Sequence, residues 1–184
     1  METVANIIQK YIHADTGEKV DIICKYYSNF TGILDGYTEG LCYLVESENA
    51  FEHRQNNMDL GVRVQSSGRI SDVTADTAIN KTMIRQAIVS CNFSEGILNG
   101  LSCRDNVFAM AHNLRCMRCD YELFNRQLGI LGTEESKIFI GFISGKKKLN
   151  EIAEEEGILY DSAVKRVGRI KKKIKLQMLE FLEV

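Results

Sequence analysis

The 184-residue sequence contains no proline and no tryptophan. Without proline, nothing inside a helical pattern fixes φ or removes a backbone donor, so helices end only at glycines and polar turns. No apolar run approaches the roughly 20 residues that cross a bilayer. The N-terminal METVANIIQKYIHAD interleaves polar residues with apolar ones, which excludes the unbroken core of a signal peptide. Neither charge sign dominates, with a formal net charge of −2. A hydrophobic content of 45 % excludes a disordered chain. Enzymatic fingerprints are missing too: there is no Walker loop, no dinucleotide motif and no His-Glu-x-x-His. His13, His53 and His112 are isolated, and the pair Glu134-Glu135 has no catalytic spacing. The expectation is a cytoplasmic protein that is not an enzyme and carries no cofactor.

Six cysteines, at 24, 42, 91, 103, 116 and 119, suit a disulfide framework only in an oxidising compartment, which nothing in the sequence indicates. Free, mostly buried thiols are expected. LRCMRC sets Cys116 and Cys119 one helical turn apart, with His112 a turn before and Cys103 further back. A zinc site needs four converging ligands, and the second pair is missing. The expectation is therefore no metal, with these cysteines acting as small core residues.

Apolar periodicity then predicts an all-α fold. Residues 2–14 read as a first helix, stopped by Asp15-Thr16-Gly17, and a second pattern carries Val20, Ile23, Cys24, Tyr27 and Phe30. A third spans 37–56, with Leu41, Leu44, Val45 and Phe51 on one side. Residues 56–71 read as an extended connection that holds one short β-segment at 62–64. Ser71 or Asp72 then caps a helix over 73–90 with Ile79, Met83, Ala87 and Ile88. A long helix over 104–128 includes Val107, Phe108, Ala111, Leu114, Met117, Cys119, Leu123 and Phe124. Helices at 133–143, 149–156 and 161–182 complete the chain. The division expected is a helical body over 1–130, for dimerisation or partner binding, and a DNA-binding unit over 131–184.

The informative stretch is LNEIAEEEGILYDSAVKRVGRIKKKIK, residues 149–175. From Gly145 onward ten Lys and Arg face seven Asp and Glu, a net of +3, so the remainder carries −5. Leu149, Ile152 and Ala153 give the first helix an apolar face, and its glutamates are solvated. Gly157 follows where a helix ends in a left-handed residue, and Ile158 plugs the turn. Asp161 or Ser162 caps the next helix, in which Ala163, Val167, Ile170 and Ile174 recur at core spacing. This is a helix-turn-helix pattern. Tyr160, Asp161, Ser162, Lys165 and Arg166 are placed to reach base edges in a major groove. Arg169, Lys171, Lys172, Lys173 and Lys175 are placed to meet phosphates. The apolar end KLQMLEFLEV suits packing on the body or on a second subunit, and a homodimer is expected.

Residues 133–176 resemble the helix-turn-helix of bacterial sigma-factor region 4. Upstream, VQSSGRISDVTADTAINK resembles a Ser-Gly-Gly…Ser-Asp-Pro-Thr-Ala segment of phage transcriptional regulators of the RinA and ArpU type. Val73 stands where that pattern has proline, and GILYDSA lacks the usual serine after its apolar residue. The resemblance implies a phage or mobile-element protein, acting in the bacterial host cell on double-stranded DNA, with RNA polymerase as a further partner. The alternative is an anti-CRISPR-type inhibitor whose acidic body occupies the basic channel of a host nuclease complex. The same fold features serve both uses.

Overall fold

The computed structural model describes residues 3–58, 73–93 and 96–182. Every regular element among them is helical: α1 (Val4–His13), α2 (Thr16–Tyr26), a 3₁₀ turn (Tyr27–Asn29), α3 (Phe30–Met58), α4 (Val73–Ser90), α5 (Arg104–Ile130), α6 (Thr133–Ile143), α7 (Leu149–Glu155) and α8 (Tyr160–Leu182). The fold is all-α. The β-segment expected at 62–64 and the cap expected at Ser71 or Asp72 lie outside the described residues. Among the described residues no helix is long and apolar enough to cross a membrane.

By contact the chain forms two compact units, Met1–Ile33 with Met117–Val184, and Leu34–Cys116. The boundary expected from the sequence falls at residue 130. The contacts instead group α1 and α2 with the C-terminal helices.

In the first unit the chain turns between α1 and α2 on one residue. Asp15 Oδ1 accepts from the Glu18 N–H at 2.7 Å, and Glu18 Oε2 accepts from the Asp15 N–H at 3.2 Å. This reciprocal cap satisfies two amides that a helix start leaves open. The stop expected at Asp15-Thr16-Gly17 is thus also the start of α2. The core gathers Ile7, Ile8 and Tyr11 of α1, Val20 and Ile23 of α2, Phe30, Phe124 and Phe139. The Phe30 ring stacks on Tyr121 with centroids 4.9 Å apart. Tyr11 donates its hydroxyl hydrogen to Asp120 Oδ2 at 3.0 Å. Burial pushes the Asp120 carboxyl above its ordinary range, although the Tyr11 hydroxyl and the Lys19 charge oppose the shift. Against this core lies α8, which packs on α7, α2 and α6.

The second unit holds most of α3, α4 and the start of α5. Its core includes Leu41, Val45, Ile84, Ile88, Leu98, Leu101, Val107 and Leu114. Glu48 of α3 caps the start of α5, accepting from the Ser102 hydroxyl at 2.9 Å and the Cys103 N–H at 3.2 Å. Bonds from the Cys103 thiol and these neighbours hold the Glu48 carboxyl below its ordinary range. At the end of α4, Cys91 takes a left-handed φ of 54°. The Asn92 N–H there closes back on the Ala87 carbonyl at 3.0 Å, a helix stop usually given to glycine.

Two expectations about burial need correction. Phe51, Ile79 and Phe108 share the apolar spacing of their helices but are 60 %, 56 % and 52 % exposed. Amphipathic period shows which face can be buried, not that the chain supplies a cover for its whole length. None of the six cysteines is in a disulfide, but only Cys24 and Cys42 are buried; Cys91 and Cys103 are half-buried, and Cys116 and Cys119 are exposed. The last two fall on the solvent side of α5, whose core stripe is Val107, Ala111, Leu114 and Met117.

Candidate nucleic-acid interface

The 156–159 turn forms as glycine chemistry dictates. Gly157 adopts φ 64°, and the Ile158 N–H closes on the Ala153 carbonyl at 2.9 Å. The bonds give α7 a six-to-one stop, and the left-handed residue costs a glycine little. From this turn α8 leaves with Ala163, Val167, Ile170, Ile174 and Met178 buried. The expected 4-3-4 stripe is the core contact of α8, continued by one methionine.

That stripe fixes where each cation points. At 3.6 residues per turn, Lys165, Arg169 and Lys172 fall within about 60° of arc, centred opposite the buried stripe. All three are exposed, and among the described residues none of them makes an ion pair. Asp161 and Ser162 are exposed at the start of the same helix.

The other four cations flank this face and are held by the protein itself. On one flank Arg166, half-buried, meets Glu156 of the turn at 2.6 Å and Glu134 of α6 at 3.9 Å. Lys173 meets Glu135 of α6 at 3.2 Å. On the other flank Lys171 and Lys175 both reach Asp21 of α2, at 2.7 and 2.8 Å. Burial alone would raise the Asp21 carboxyl; the two ammonium hydrogen bonds outweigh it and hold Asp21 below its ordinary range. Neighbouring Cys24 is pushed up to about 12, chiefly by burial. Partly exposed pairs of this kind contribute about 0.2–1 kcal/mol each. Their larger effect is directional, because they orient α8 between α2 and α6.

The expected site residues are therefore not brought together as one set. Arg166, expected at base edges, ties the turn to α6. Lys171, Lys173 and Lys175, expected at phosphates, are paired with carboxylates. Tyr160 is 50 % exposed but sits on the flank, where it lines a cleft with Phe142 and Lys148. Lys146 and Lys148, in the 144–148 turn, are exposed cations that the pattern of α8 could not bring to notice. Their signal was the run Lys146-Lys147-Lys148 just ahead of Leu149.

Elsewhere, Cys116 Sγ lies 3.6 Å from His112 Nε2 on α5. Among the described residues no three His, Cys, Asp or Glu side chains gather as a metal site. The arrangement on α8 presents Lys165, Arg169 and Lys172 on its exposed face. The chain matches no known family model, no curated protein and no solved structure.

Proposed function

We propose that this chain binds duplex DNA, with α7 and α8 acting as a helix-turn-helix and the Lys165–Arg169–Lys172 face of α8 entering the major groove. The observation that carries this reading is the sorting of cations on α8. The protein commits four of seven to its own carboxylates and leaves the three on the outermost face unpaired. Ser162 and Lys165 lie near the N-terminal end of α8, where this kind of helix meets base edges. Arg169 and Lys172 lie further along, where phosphates pass. With the resemblance in sequence, the role proposed is a transcriptional regulator of phage or mobile-element origin in the bacterial cytoplasm.

The test is equilibrium binding of the purified protein to a labelled random duplex over a series of salt concentrations. Saturable binding whose affinity falls steeply with salt is expected. No binding even at low salt would remove DNA from the function and leave a protein partner, such as a host nuclease, as the target.

A further inference from the structure

Beside the start of α8, the turn between α6 and α7 forms an open cleft of about 400 Å³. Phe142 gives it an apolar wall, and Lys147, Lys148, Asn150 and Tyr160 give it polar groups. Gly145, with φ 70°, forms part of the rim without a side chain. No carboxylate lines the cleft. Nearby, Glu155 pairs with Lys147, and Glu151 Oε2 accepts from the Lys148 N–H at 2.9 Å. The Lys148 ammonium and the Tyr160 hydroxyl have no hydrogen-bond partner among the described residues. The cleft thus offers an ammonium, a phenolic O–H and a carboxamide on a concave surface whose lining includes no carboxylate. Those groups match a phosphate, which accepts hydrogen bonds and carries charge.

We propose that this cleft seats one phosphate of the DNA backbone, held by Lys148 and Tyr160, and so fixes the position of α8 along the duplex. The proposal rests on the DNA-binding reading above. It reassigns Tyr160 from a base edge to a phosphate, and adds Lys148 to the interface. Tyr160 is the first residue of α8, so a strand passing its N-terminal end meets the cleft and the unpaired face in succession.

The experiment measures DNA affinity against salt for the full chain and for Lys148→Ala, Lys148→Arg and Tyr160→Phe. Both positions are exposed, and Lys148→Ala keeps the backbone bond to Glu151. The expected result for Lys148→Ala is a slope of log K against log salt reduced by about one, with equal loss on all duplex sequences. Lys148→Arg should restore the slope. Tyr160→Phe should weaken binding roughly tenfold or more, the worth of one hydrogen bond to a charged group, with the slope unchanged. An unchanged slope for Lys148→Ala, in a protein whose DNA binding is otherwise intact, would overturn the proposal and leave the DNA reading standing. So would saturable, Lys148-dependent binding of inorganic phosphate that leaves the DNA slope untouched, since the cleft would then serve free phosphate. Loss of all DNA binding by the unaltered chain would sink both readings together.

Discussion

Neutralising two sets of cations on the same helix separates a DNA-facing role from a structural one. The first variant replaces Lys165, Arg169 and Lys172 with alanine. These residues have no ionic partner among the described residues, and their removal leaves every ion pair of α8 in place. Each phosphate contact contributes about 0.9 to the slope of log K against log salt. With Arg169 and Lys172 at phosphates and Lys165 at a base edge, the slope falls by about 1.8. A fourfold rise in salt then costs the wild type about 12-fold more affinity than it costs the variant. The thermal midpoint should stay close to the wild-type value. The second variant replaces Lys171 and Lys175, which hold Asp21 at 2.7 and 2.8 Å. Here the loss is structural: two partly exposed pairs together contribute about 1 kcal/mol, which lowers the midpoint by about 3 °C in a chain of this size. The slope should change by well under one unit, because these ammonium groups are already compensated. Fluorescence anisotropy over a salt series and a melting curve for each variant decide the matter. Equal slope losses from the two sets, or a wild-type slope in the triple variant, would refute the sorting argument.

Two helix stops predict opposite effects of removing and adding a side chain at a left-handed residue. Cys91→Gly, at φ 54°, should raise stability by about 1 kcal/mol, whereas Gly157→Ala, at φ 64°, should lower it by about 1–2 kcal/mol; urea midpoints of the two variants test the pair. Asp120 has a folded pKa above its ordinary 3.8, so the folded state holds its proton more tightly, and the wild type loses stability as pH rises from that value through the folded pKa. Asp120→Asn should therefore gain on the wild type through that window and keep a constant lead above it; a lead that shrinks with rising pH would contradict the assignment. Asp21, held below 3.8, acts with the opposite sign and in a lower window. Its contribution is present above 3.8 and is lost as pH falls through the folded value, so the deficit of Asp21→Asn should vanish in acid. Ile174→Ala, at the fully buried centre of the α8 stripe, should cost about 2–5 kcal/mol in the same denaturation assay.

Local chemistry made most of the helices legible. Ala163, Val167, Ile170 and Ile174 named the buried side of α8 because their spacing can serve only one face of a 3.6-residue helix. Gly157 marked the turn because a left-handed residue is cheap only there. Cys91 gave no such warning, since a cysteine at a left-handed stop looks in sequence like any other residue inside a helical pattern. The role of each cation was less legible for a different reason. The stripe says what lies opposite the core, but the flanks of α8 are decided by what packs beside it. Asp21 comes from the other end of the chain, and Glu134 and Glu135 from a separate helix. No window of sequence around α8 contains them. Counting all seven cations as phosphate contacts would predict a salt slope of about 6. Arg169 and Lys172 at phosphates give about 1.8, and Lys148 in its cleft brings the sum to about 2.7. The slope of the unaltered protein therefore distinguishes a helix read from its own composition from one read with its neighbours in place.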